Sequence, residues 1–161
     1  MTLAWLWASR TDFKISQILK KDVIDASKGD LKDQSKFGSV YHNAGLVTAI
    51  VYTEALRTGH KKFGKHPLTS DKGQWALEHL DIAPERIEEL GAAGLPSPLK
   101  VTPTDHEGNP AAKIVQWDGK NWQAKTDWLN GDRALFHDAI YAKAAAYEKE
   151  KNLPPREAST N

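Results

Sequence analysis

The sequence contains no cysteine. That removes disulfide frameworks, thiolate zinc sites and cysteine nucleophiles together. It also lacks any run near the roughly 20 apolar residues that span a bilayer, so no membrane insertion is expected. The first eight residues, Met1 to Ala8, are apolar but have no basic leader, and Arg10 and Asp12 cut them off. They are expected to form a buried strand or an intermolecular contact rather than a signal peptide. On that basis a chain translated from Met1 is expected to stay in the cytoplasm. Charge of one sign is missing as well. Lysine plus arginine total 22 against 21 for aspartate plus glutamate, a formal net charge of +1. No field of one sign draws in nucleic acid or an anionic membrane. The signatures GxxxxGK[ST], GxGxxG, GxSxG and HExxH are all absent, so neither an enzyme nor a cofactor is expected.

What is present is 161 residues, 40% hydrophobic and 27% charged, an ordinary mix for about one domain. Ile15, Ile18, Leu19, Val23 and Ala26 recur at helical steps. They predict a helix over 12–28, capped by Asp12 and stopped by Gly29. A second helix over 40–58, ended by Gly59, is apolar around most of its circumference and should be buried on more than one side. Shorter helices follow over 70–80 and from Pro84 to Gly91, the proline suiting a first turn. Residues 111–117 and 122–128 read as strands. The Asp118-Gly119-Lys120-Asn121 segment between them signals a hairpin with a loop of two or four residues, of which only the longer sets Trp117 opposite Trp122 and is favoured for that aromatic pair. A last helix, capped by Asp132, runs to about Lys151. Leu135, Phe136, Ala139, Ile140, Ala144 and Tyr147 share one of its faces. The βαβα rhythm of a complete parallel-sheet domain is absent.

Three stretches carry a family likeness. One runs from Ile18 to Asp30, through Gly38-Ser-Val-Tyr-His-Asn-Ala-Gly45, to Tyr52-Thr-Glu-Ala-Leu-Arg57. The next is Phe63-Gly-Lys-His-Pro-Leu-Thr69 followed by Trp75-Ala-Leu-Glu-His-Leu-Asp81. The last is Asp105-His-Glu-Gly108, then Gln116-Trp-Asp-Gly-Lys-Asn-Trp122 and Asp127-Trp128. In order and spacing they resemble the C-terminal part of type I periplasmic solute-binding proteins of ABC transporters, the branched-chain amino acid family and its aromatic-acid-binding relatives. Members are longer, carry a signal peptide and grip solute between two α/β lobes. The resemblance implies an α/β family fragment: a predominantly helical α+β chain with a C-terminal β-hairpin and incomplete binding-protein lobes. Residues 1–11 are expected to form a strand or a contact or swap arm, 12–153 the binding-protein part, and 154–161 a loose tail.

The function this implies is a truncated, non-catalytic solute-binding component for branched-chain amino acids, amides or aromatic acids. Its relatives dock on an ABC permease and sit in the periplasm, and solute binding by the fragment is open. The alternative is a homodimeric structural or regulatory module without small-molecule binding. Tyr41 falls in the stretch resembling the inter-lobe crossover. Asp105 and His106 form the densest polar cluster. These three are the candidate ligand residues, although Asp105 and Gly108 also suit a simple turn before a strand. The six histidines are scattered and predict no metal site. Trp75, Trp117, Trp122 and Trp128 are expected in one apolar cluster. With the parallel sheet missing, Trp5, Trp7, Leu46 and Ile50 are expected to drive self-association, as a homodimer or by domain exchange.

Overall fold

The computed structural model describes residues 2–5, 9–109, 111–120 and 122–154, with only the backbone of 2–5. Trp7 and residues 155–161 lie outside the described residues, as does the side chain of Trp5.

The organising element is α2, Val40–Phe63. The Ser39 hydroxyl accepts the His42 N–H at 3.3 Å, which caps its start. Gly64, at φ 95°, ends it. Gly59 does not stop this helix. It lies buried inside it, and a Cβ there would come within 2.5 Å of Leu68 Cδ1 and 3.1 Å of the Ala76 Cβ. The glycine is there because α3, Ser70–Glu78, and the loop before it pack directly on the α2 backbone. The core gathers Ile50 and Ala55 of α2 with Leu80, Ile82, Ile87 and Ala92. Ile87 comes from α4, Pro84–Glu89, which starts on its proline as expected and closes at Gly91, φ 68°. Arg86 of α4 reaches back to Glu54 of α2 with two hydrogen bonds, 3.0 and 2.9 Å. That fork holds the two helices in one relative position.

The first helix is shorter than its periodicity predicts. The element α1, Lys14–Leu19, passes into a π turn, Lys20–Ile24. Ser27 then takes the left-handed conformation, φ 54°, and the Lys28 N–H closes on Val23 O at 2.9 Å. The chain therefore turns before Gly29. The Ile15 N–H donates to Gly91 O at 2.9 Å, docking α1 on the end of α4.

Strands β2, Asp81–Ile82, and β3, Leu99–Lys100, form one small antiparallel pair. The other sheet is built on β4, Ala111–Trp117. The first strand, β1, Thr2–Trp5, lies antiparallel along one edge of β4 in the same chain. On the other edge run β5, Trp122–Ala124, and β6, Leu129–Asn130. Trp117 does face Trp122, with ring centroids 5.5 Å apart. The expected strand over 122–128 breaks after Ala124, where the Thr126 hydroxyl takes the Ile114 N–H at 3.1 Å. The four tryptophans do not form one cluster. Trp75 stacks on His79 at 3.9 Å and meets Phe63 edge-on, while Lys113 sits over Trp128. Every strand pairing described is antiparallel. Mixed helix with small antiparallel sheets is the architecture.

Two expectations about burial fail. One face of α2 is open: Tyr41, Tyr52 and Leu56 are all more than half exposed. Ile50 is buried in the core and so is not available as a self-association surface, while Leu46 is half-buried. A second open apolar face belongs to α5, Ala134–Lys151, in which no residue is buried.

Candidate functional site

Residues 102–108 form a tight turn between β3 and β4. Thr102 and Asp105 exchange backbone hydrogen bonds at 2.9 and 3.1 Å. Asp105 Oδ1 accepts the Glu107 N–H at 3.2 Å, and Gly108 takes φ 72°. Both features are the ones the residue types predict for a turn. A Cβ at Gly108 would lie 2.4 Å from Leu99 Cδ1, so glycine also permits the close return past β3.

What the sequence does not reveal is the clasp on this turn. Arg133, just before α5, donates through Nη1 to Asp105 Oδ2 at 2.6 Å and to Gly108 O at 2.9 Å. Its Nη2 stands 3.8 Å from Glu107. The antiparallel return through β4 and β6 brings these partners together across 28 positions. The Arg133 hydrogen bond holds the Asp105 carboxyl below its ordinary range, against a smaller opposing effect of burial. The guanidinium is raised in turn by Asp105. On the other side of the turn, His106 Nε2 lies 3.2 Å from Glu78 Oε1, which also accepts from Gln74 at 2.9 Å. His106 and Glu78 thus tie the turn to the end of α3.

Two cavities flank the turn and share His106 and Glu107 as their common wall. One, of about 420 Å³, lies against α5, with Asp105 and Arg133 on one side and Phe136, Ile140 and Tyr141 on the other. The second, of about 780 Å³, lies against α2 and α3. Val51, Leu77, Leu80, Leu99 and Val101 give it an apolar floor, and Gln74, Glu78 and His106 supply polar groups. A mostly apolar hollow with a few convergent polar groups suits a small amphiphilic solute. Among the described residues no group of three or more histidine, aspartate or glutamate side chains could hold a metal ion.

Of the candidate ligand residues, the structure brings Asp105 and His106 to these cavities and leaves Tyr41 away from them. Tyr41 stands 89% exposed at the first turn of α2. Val51, the α2 residue that lines the larger cavity, is ten positions further on, about 15 Å along the axis. Arg133 and Glu78 are the site residues that sequence reasoning missed. The only local signal for Arg133 was its place beside Asp132, whose carboxylate accepts the Ala134 N–H at 3.1 Å.

No protein-family model matches the chain, and no curated protein does. Two solved structures do. An ABC transporter permease from the Pseudomonas fluorescens group is 46% identical over 99% of this chain, with a TM-score of 0.90. A branched-chain amino acid ABC transporter from Thermus thermophilus with bound valine is 16% identical over 87%, with a TM-score of 0.57. At that identity the second likeness concerns the fold alone. Both neighbours are ABC transporter proteins. The chain spans 38% of the first and 35% of the second. The resemblance drawn from the sequence and these two structures agree on the transport system.

Proposed function

We propose that this chain forms part of the solute-binding component of an ABC transporter and takes a branched-chain amino acid, an amide or an aromatic acid without covalent chemistry. The observation that carries this is the 46% identity over 99% of the chain to an ABC transporter protein. The fold shared with the valine-bound transporter protein supports the binding role over the membrane-embedded one. No described helix is long and apolar enough to cross a membrane. Docking on a permease and a periplasmic place of work follow from this reading.

The two cavities beside the 102–108 turn give the reading a chemistry. Apolar floors suit a branched or aromatic side chain, and the carboxylates, Arg133 and His106 suit the polar end of such a solute. A thermal-shift screen over the branched-chain amino acids, their amides and simple aromatic acids tests it. A solute that binds only the folded chain raises its melting temperature, more as its concentration climbs past Kd. A concentration-dependent rise with at least one of the three classes is expected. A flat response to all three would defeat the proposal.

A further inference from the structure

The sequence holds one asparagine followed by glycine, Asn130-Gly131. The pairing matters because the side-chain carbonyl carbon of an asparagine can close a five-membered ring on the next backbone nitrogen, and glycine adds no Cβ to obstruct that approach. The other described asparagines are protected. Asn43 is fully buried, and its amide donates to Arg10 O at 2.9 Å. Asn109 precedes Pro110, which has no backbone N–H. Asn152 precedes Leu153, whose N–H is held by Glu148 O at 3.0 Å. Asn130 has no such protection. Among the described residues no hydrogen bond holds its side-chain amide. Asn130 and Gly131 are both exposed. Asn130 is the last residue of β6, a strand of 2 residues, where it pairs with Ala111, and Gly131 lies beyond the strand. So short a strand end opens locally at little cost, which lets the backbone bend as ring closure requires.

We propose that Asn130 is a site of spontaneous deamidation. The Gly131 nitrogen bonds to Asn130 Cγ, the Cγ–Nδ2 bond breaks, and ammonia leaves with the proton that Gly131 gives up. Water then splits one of the two imide C–N bonds. Splitting at the side-chain carbonyl gives aspartate. Splitting at the main-chain carbonyl gives isoaspartate, whose backbone is longer by one methylene. Water is the one co-reactant, and either product takes the formal net charge from +1 to zero. Isoaspartate has a second effect. Gly131, Asp132 and Arg133 follow directly and line the cavity against α5. The longer backbone ends the pairing of residue 130 with Ala111 and displaces Arg133 from Asp105 and Gly108. The clasp on the 102–108 turn therefore loosens as the chain ages. This chemistry does not depend on the solute-binding reading, and its test uses no solute.

The folded chain is held at mildly alkaline pH, digested in acid to stop further conversion, and read by mass spectrometry. The peptide carrying Asn130 is expected to gain one dalton progressively, faster at higher pH. Part of the product should accept a methyl group from an isoaspartyl methyltransferase. Gly131→Ala should slow the gain about tenfold, because a Cβ hinders ring closure. Unchanged mass at Asn130, under conditions where a synthetic peptide of residues 127–134 converts, overturns the proposal, since the fold then protects the bond. An equal gain at Asn43 or Asn152 overturns it as well. Asn130→Asp carries the new charge on a backbone of ordinary length. The isoaspartate-rich chain should melt below Asn130→Asp, and equal melting temperatures would overturn the loosening of the clasp.

Discussion

Asp105 shows how one side chain can satisfy a local rule and still take part in a longer-range contact. Its type and position announce a turn, and it makes that turn through Oδ1. Its other oxygen takes Arg133. Because the folded carboxyl titrates below its ordinary range, the pair contributes stability that is fully present above the unfolded value, about 3.9. It is lost as pH falls through the lower folded value. Arg133 is 42% exposed and Asp105 24%, so solvent screening keeps the contribution to about 1 kcal/mol at most. Asp105→Asn should therefore lower the melting temperature slightly at neutral pH and leave it unchanged below the acid transition. Scanning calorimetry across that range checks it. An equal loss at every pH would mean that packing, not charge, holds the turn. His106 and Glu78 act on the same turn from the opposite side, so the turn's position depends on both contacts.

Helices were legible where their punctuation is local. Pro84 starts α4, Gly91 closes it, and the four-residue hairpin loop falls where the tryptophan pairing puts it. Gly59 was misread because a glycine has two uses, and sequence alone cannot separate them. Here it allows close approach of α3 and Leu68 rather than a stop. Two substitutions separate these roles. Gly59→Val should cost about 2 kcal/mol, because the added methyls have no room beside Leu68 and Ala76. Gly73→Ala, where a Cβ meets nothing, should gain about 1 kcal/mol from helix propensity alone. Denaturant midpoints decide between them, and a gain at both positions would refute the close packing described for Gly59. The π turn after α1 left no sign in the periodicity, since Val23 and Ile24 fit a regular helix as well as a widened one. The clasp on the candidate site was equally hidden. Arg133 meets Asp105 only because two strands reverse the chain between them, and no local pattern reports that.

At the scale of the whole molecule, the apolar face of α5 was visible in its spacing, but its cover was not, because burial depends on what lies opposite. The expectation of orphaned apolar surface was placed on Trp5, Trp7, Leu46 and Ile50. Ile50 went into the core, and α5 with the outer rim of α2 remained open. The solute-binding proposal makes its demand at the 102–108 turn, which separates two hollows, one of them against α5. The most direct check is an amide-resolved NMR titration with valine, its amide and a simple aromatic acid. The account predicts saturable shifts gathered at His106, Glu107, Glu78 and Arg133 for one of them. Spectra that stay unchanged, or shifts that gather on surfaces remote from that turn, would contradict it.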